Sequence, residues 1–140
     1  MEVATQYVGG LDELAVAYGG YVFVPEQWPP PFATSAPRYM IDRGPAGVSY
    51  RIDIGTDDGV PILIAGLPRP VTQRAGMLGA PPDSYWFAVQ DLQKVGGLAL
   101  RQPNGHYHVV LGNPMQVHLS GYRIIEQGVQ AATSLVRYGL

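Results

Sequence analysis

The phrase LDELAVAYGGYVFVPEQWPPP, residues 11–31, constrains the fold more than any other part of this chain. Leu11, Leu14, Ala15 and Tyr18 recur at i, i+3, i+4 and i+7, and Asp12 and Glu13 occupy the first turn, where carboxylates complement the positive end of a helix dipole. Gly19 suits a left-handed position just past the helix end, and Tyr21 to Val24 then reads as a strand closed by Pro25. A helix of about two turns is unstable alone in water. Its apolar stripe has to be packed on a sheet, and the remaining residues must supply that sheet. Pro29, Pro30 and Pro31 form a short polyproline stretch, read as a rigid connection.

Composition narrows the class further. Hydrophobic residues make up 46% and charged residues 14%, which excludes a disordered chain, while 18 glycines and 13 prolines point to many short elements joined by turns. A length of 140 residues suits one domain with one core, residues 1–9 being expected as a flexible lead. A net charge of −2, with eight arginines and one lysine scattered along the chain, leaves no basic stripe and excludes nucleic acid as a partner. Cysteine is absent, so disulfides, thiolate metal sites and thiol nucleophiles are excluded. No run approaches the ~18 apolar residues of a transmembrane helix, and MEVATQYVGG has neither a basic nor an apolar leader pattern. The expectation is a soluble, untargeted chain.

The clearest hairpin joins residues 38–43 to 48–54. Tyr39 and Ile41 alternate with polar residues on one strand, and Val48, Tyr50, Ile52 and Ile54 do so on the other, around the turn Gly44-Pro45-Ala46-Gly47. Pairing Arg43 with Val48 sets Tyr39 against Ile52 and Ile41 against Tyr50 on the core side, and Arg38 against Asp53 on the wet side. Asp57-Asp58-Gly59 turns the chain into Val60 to Ala65, apolar on both faces and so central. Residues 66–84 carry Pro68, Pro70, Pro81 and Pro82 without periodicity and read as a long loop of the functional or mobile kind. Tyr85 to Val89 resumes as a strand, and residues 98–101 and 106–111 form a last hairpin around Pro103-Asn104-Gly105. The sheet is then expected to stop. Ser120 is read as the N-cap of a final helix with the stripe Ile125, Val129, Ala132, Leu135 and Val136, ended by Gly139. No internal repeat is visible. The fold class is α+β: a mainly antiparallel curved sheet of about seven strands, with a short N-terminal helix and a longer C-terminal helix packed on it.

Three blocks carry a family resemblance over roughly residues 11–136: the helix-Gly-strand-Pro phrase LDELAVAYGGYVFVPEQWPP, the hairpin strands GVSYRIDIGTDDGVPILIAG, and LALRQPNGHYHVVLGN followed by IIEQGVQAATSL. In these the chain resembles an uncharacterised bacterial domain found at the extracytoplasmic C-termini of membrane-tethered anti-sigma-type regulators and in lipoprotein-like proteins. The resemblance implies a half-barrel sheet-and-helix fold that binds ligands or proteins and is not an enzyme. It also implies an extracytoplasmic setting if the chain is a piece of a membrane-anchored relative. The chain departs from the family's usual context in showing no signal peptide or anchor, which leaves a cytoplasmic setting open.

Chemistry is sparse. His106, His108 and His118 are all three histidines of the chain, within thirteen residues. His106 and His108 share a strand face opposite Tyr107, Val109 and Leu111, and a tight turn at Gly112-Asn113-Pro114 would set His118 against His108, an arrangement able to chelate Zn²⁺, Ni²⁺ or Cu²⁺. Pro114 disfavours that turn, and no carboxylate is near in sequence. Asp57 and Asp58 suit a turn, Asp12 and Glu13 a helix start, and none forms an acid/base couple. Ser84 and Ser120 lack the setting of a nucleophile, and Gly76-Met77-Leu78-Gly79 lacks the spacing of a phosphate loop. The aromatics offer more: Trp28 borders the proline run, Trp86 alternates away from Tyr85 and Phe87, and Met77 and Leu78 sit on the long loop as a possible lid. The reading is a non-catalytic binding or sensor domain, with Trp28, Met77, Leu78 and Trp86 facing a protein partner or apolar ligand in a groove, and with no cofactor. The alternative is a metal-binding protein or metal-dependent enzyme built on His106, His108 and His118.

Overall fold

The computed structural model describes residues 4–26, 36–45, 47–56, 59–67, 85–87, 89–102, 104–111 and 116–139. In chain order these form β1 (Ala4–Val8), α1 (Leu11–Tyr18), β2 (Val22–Pro25), β3 (Arg38–Gly44), β4 (Gly47–Ile54), β5 (Ile62–Leu67) and β6 (Tyr85–Phe87). They continue with α2 (Gln90–Gln93), β7 (Gly97–Arg101), β8 (Tyr107–Leu111), β9 (Gln116–Tyr122), α3 (Ile125–Thr133) and β10 (Leu135–Tyr138). Eight strands make one antiparallel sheet in the order β1-β3-β4-β5-β9-β8-β7-β6, and β2 with β10 makes a separate two-stranded ribbon. The α+β architecture expected from the sequence is present, with β5 central.

The sheet is two copies of one plan. A strand, a helix and a three-stranded meander occur first as β1, α1 and β3–β5, then as β6, α2 and β7–β9; each leading strand pairs with the first strand of its own meander. The halves join antiparallel through β5 and β9, so a pseudo-twofold axis runs between those strands.

The β3–β4 register is the one the alternation predicts: Arg43 opposite Val48, Ile41 opposite Tyr50, Tyr39 opposite Ile52 and Arg38 opposite Asp53. The last pair closes an ion pair at 3.1 Å on the exposed edge of the turnless end. Gly59 and Gly105 have positive φ (79° and 84°), as their turns require, and Gly19 (83°) ends α1 by donating its N–H to the carbonyls of Ala15 and Val16. One face of the sheet carries the rungs Ala99, Val109, Leu119, Ile64, Ile52, Tyr39 and Gly97, Leu111, Val117, Gly66, Tyr50, Ile41. Most of these are buried with Leu14, Ala15, Val22, Val24, Ala131 and Ala132 from the layer above, made of α1, the β2–β10 ribbon, α3 and α2. α3 lies close on β8 because Gly128 faces Val109, where even a methyl group would be 3.2 Å from a Val109 methyl.

Four expectations need correction. Residues 4–8 are not a flexible lead but strand β1: Thr5, Tyr7 and Val8 favour extended backbone, and the run is too short to display a period. The sheet does not stop at Leu111; β9 extends it, and Ser120 lies within that strand rather than capping a helix. Residues 116–120 alternate, and a bulge ends the alternation at Gly121. Tyr107 pairs with Tyr122 but His108 with Ser120, leaving Gly121 as the extra residue at φ 87°, where a Cβ would strike the Pro61 carbonyl oxygen. The last helix ends at Thr133, and residues 135–138 are strand β10 against β2. Thr133 and Ser134 hydroxyls bond back to carbonyls of the final turn, and Leu-Val-Arg-Tyr then takes the strand its side chains favour. The core partners therefore divide: Ile41, Tyr50, Ile52 and Ile54 are fully buried, Tyr39, Ile125, Val129 and Leu135 are partly so, and Val136 is 42% exposed.

Tyr50 shows how tightly the layers are joined. Its ring fills the space over Gly66 and its hydroxyl accepts from Phe23 N–H at 2.8 Å and donates to Phe23 C=O at 3.1 Å. A Cβ on Gly66 would lie 2.1 Å from that immobile ring, so Gly66→Ala is expected to cost about 3 kcal/mol in urea unfolding, by overpacking. Tyr50→Phe, which strands two backbone groups, should cost about 1–3 kcal/mol. Unchanged unfolding midpoints in both variants would refute this account of the layer contact.

Candidate functional site

Two places gather polar or accessible groups, one on each face of the sheet. On the face opposite the helices, one rung runs Leu98, Val110, His118, Ala65, Arg51, Met40, Tyr7, and its neighbour Leu100, His108, Ser120, Leu63, Asp53, Arg38. Met40, Leu100 and Val110 are buried there, so this face is not simply a wet surface.

The strand register sets His108 and His118 on adjacent strands but diagonally, since His108 opposes Ser120 and His118 opposes Val110. The imidazoles meet nonetheless: His108 Nε2 is 2.9 Å from His118 Nδ1, and His118 Nε2 is 3.1 Å from Gln116 Oε1. An amide oxygen only accepts, so His118 carries its proton on Nε2 and leaves Nδ1 bare to accept from His108 Nε2–H. The chain of bonds thus runs His108 to His118 to Gln116, with both rings neutral. Burial pushes the His108 pKa down to about 4, helped by the neighbouring His118, and burial also lowers that of His118. His106 stands apart in the Asn104-Gly105 turn, its backbone N–H bonded to the Asn104 side chain. The expected trio is therefore a pair, and among the described residues no three His, Asp or Glu side chains converge as metal ligands. Gln116, which fixes the tautomers, carried no signal in the sequence because the strand containing it went unrecognised.

Further along the same face, Asp42 accepts from Thr5 Oγ1 at 2.6 Å and from Arg51 Nε and a terminal guanidinium nitrogen at 2.6 and 3.0 Å. Burial would raise the carboxyl pKa, but the bonds from Arg51 and Thr5 outweigh it and hold Asp42 below its ordinary value. This group is a closed ion pair, with its lone pairs in use.

On the helix side, α2 and α3 leave a groove of about 670 Å³ between them. Val89, Ile125 and Val129 supply apolar wall, and Gln90, Asp91, Glu126, Gln130 and Thr133 supply a polar rim. Gly128, Ala131 and Ala132 bury the adjoining side of α3 against the sheet, and the stripe of Ile125, Val129 and Thr133, partly packed on the core through Ile125 and Val129, borders the groove. Reasoning from sequence missed the α2 wall: a four-residue helix has room for one apolar contact, Leu92, and no stripe.

Of the expected ligand-facing residues, Trp28, Met77 and Leu78 lie outside the described residues. Trp86 lies in β6 at the register position opposite Leu100, on the rung that continues to His108. Comparison of the chain with protein-family models, with curated proteins and with solved structures finds no match.

The histidine pair makes stability depend on pH. An unfolded histidine takes up its proton near 6.5, but folded His108 does so only near 4. Between these values the unfolded chain holds a proton that the folded chain refuses, so stability is complete above pH 6.5 and falls as the pH drops toward 4. The loss should approach about 3 kcal/mol at most. His108→Gln keeps a donor for His118 and removes the titrating ring, so urea midpoints measured from pH 7 to pH 4 should decline less in that variant. Parallel declines would show that the pair does not set the acid response.

Proposed function

We propose that this chain is a non-catalytic binding domain whose ligand occupies the groove between α2 and α3. The observation that carries this reading is the groove itself: about 670 Å³, with apolar wall from Val89, Ile125 and Val129 and polar side chains at the rim. Such a volume suits a small apolar ligand or a few apolar side chains of a protein segment, and the amides of Gln90 and Gln130 can fix its polar end. Among the described residues its lining contains no histidine, lysine or tyrosine, its one hydroxyl, on Thr133, is bonded to the Val129 carbonyl at 2.8 Å, and its carboxylates, Asp91 and Glu126, belong to the rim. An apolar wall under a polar rim suits binding.

The resemblance to extracytoplasmic domains of anti-sigma-type regulators supports the same reading, since a domain of that kind acts by recognising a ligand or protein. An extracytoplasmic sensor role is proposed on that resemblance alone. The groove proposed here is not the one expected between the sheet and residues 66–84; it uses the helix layer instead.

The test is titration with a neutral apolar fluorophore, N-phenyl-1-naphthylamine, against the wild-type chain and Gln130→Trp. Gln130 is exposed and lines the groove, so an indole there fills it without disturbing the core. Saturable emission enhancement is expected in the wild type, with affinity reduced about tenfold or more in the variant. The melting temperature should stay within about 2 °C. Absence of saturable binding, or equal affinity in the variant, would overturn the assignment.

A further inference from the structure

Among the described residues β1 is the last strand of the sheet, with nothing paired to its outer side. Four of the five residues Ala4–Val8 are exposed, and Tyr7 keeps 63% of its surface. Borders of this kind are ordinarily blunted by a charge, a proline, a bulge or a covering segment, because free backbone N–H and C=O groups recruit another strand. ATQYV contains no charge and no proline, its register with β3 runs unbroken from Ala4 to Val8, and no described residue pairs with its outer side. The charged side chains beside it are already engaged: Asp42 with Thr5 and Arg51, and Arg43 with Gln6 Oε1 at 2.8 Å.

We propose that β1 pairs antiparallel with β1 of a second copy of this chain, across a twofold axis at Gln6. The strand is self-complementary in that register. Gln6 meets Gln6, while Thr5 meets Tyr7 and Ala4 meets Val8 twice each, so a β-branched residue faces an aromatic one on the Tyr7 side and two apolar residues meet on the other. No like charges are brought together. About four to six backbone hydrogen bonds would form, whichever alternate residues point outward. A contact of five residues per copy is small, so the dimer is reversible and depends on concentration. β1 belongs to the first half of the fold and the groove to the second, which makes this inference independent of the binding reading.

Sedimentation velocity on the wild-type chain, at concentrations rising to about 500 µM, should show the mass moving from 15.1 kDa toward twice that value. Gln6→Lys puts two ammonium groups face to face at the axis, each beside an Arg43 guanidinium, so this variant alone should remain at 15.1 kDa with an unchanged circular dichroism spectrum. An equimolar mixture with Gln6→Glu should draw the lysine chain into dimers, because a lysine then faces a glutamate. A wild-type chain that stays monomeric throughout, a dimer that persists in Gln6→Lys, or a mixture that fails to associate would each overturn the proposal.

Discussion

The hydroxyl of Tyr50 joins the two layers of this protein. It accepts from the N–H and donates to the C=O of one β2 residue, Phe23, while its ring lies over Gly66 and meets Tyr18 of α1 edge-on at 5.2 Å. Burial raises the phenol pKa, so the group stays protonated and keeps both its donor and its acceptor. β2 follows α1 after three residues, and β10 follows α3 after one, so the β2–β10 ribbon ties the C-terminal ends of both helices together. Glu26 N–H adds a bond to the Ser134 carbonyl at the junction. Through one phenol, the sheet thus sets where α3 ends, and with it one wall of the groove.

What could be read from the sequence follows from how far each signal extends. The β3–β4 hairpin spans enough alternating residues to fix its register, down to the Arg38–Asp53 pair, and turn glycines announce themselves because few other residues accept positive φ. β9 was hidden by one bulged glycine, since Ser120-Gly121 resembles a helix cap once the alternation breaks. Leu135 and Val136 fall on the helical spacing of Ile125, Val129 and Ala132 by coincidence, and only the pairing with β2 decides for strand. The histidine cluster was legible as a cluster but not as a geometry, because the bulge and the diagonal register determine which imidazoles meet.

The polar chemistry of the sheet's second face argues for structure rather than catalysis. A general base works best with a pKa near the operating pH, and His108, pushed down to about 4, is a poor one at neutrality. The Asp42 and Asp53 carboxylates that share this face are both paired with arginines. Among the described residues the carboxylates and the two imidazoles of this face are matched locally: Asp42 to Arg51 and Thr5, Asp53 to Arg38, His108 to His118 and on to Gln116.

The groove has a topological cause. Both halves of the sheet put a helix between their leading strand and their meander, and both follow it with paired glycines, Gly19-Gly20 and Gly96-Gly97, the first of each at positive φ (83° and 73°). The helices differ in length. α1 has eight residues, enough to bury Leu14 and Ala15 and to pack over β3 and β4 beside the ribbon. α2 has four and buries only Leu92. A helix of one turn cannot cover the flank of a nine-residue neighbour, so Ile125, Val129 and Thr133 of α3 are left facing the groove. The groove lies where the shorter helix of the second half leaves α3 uncovered.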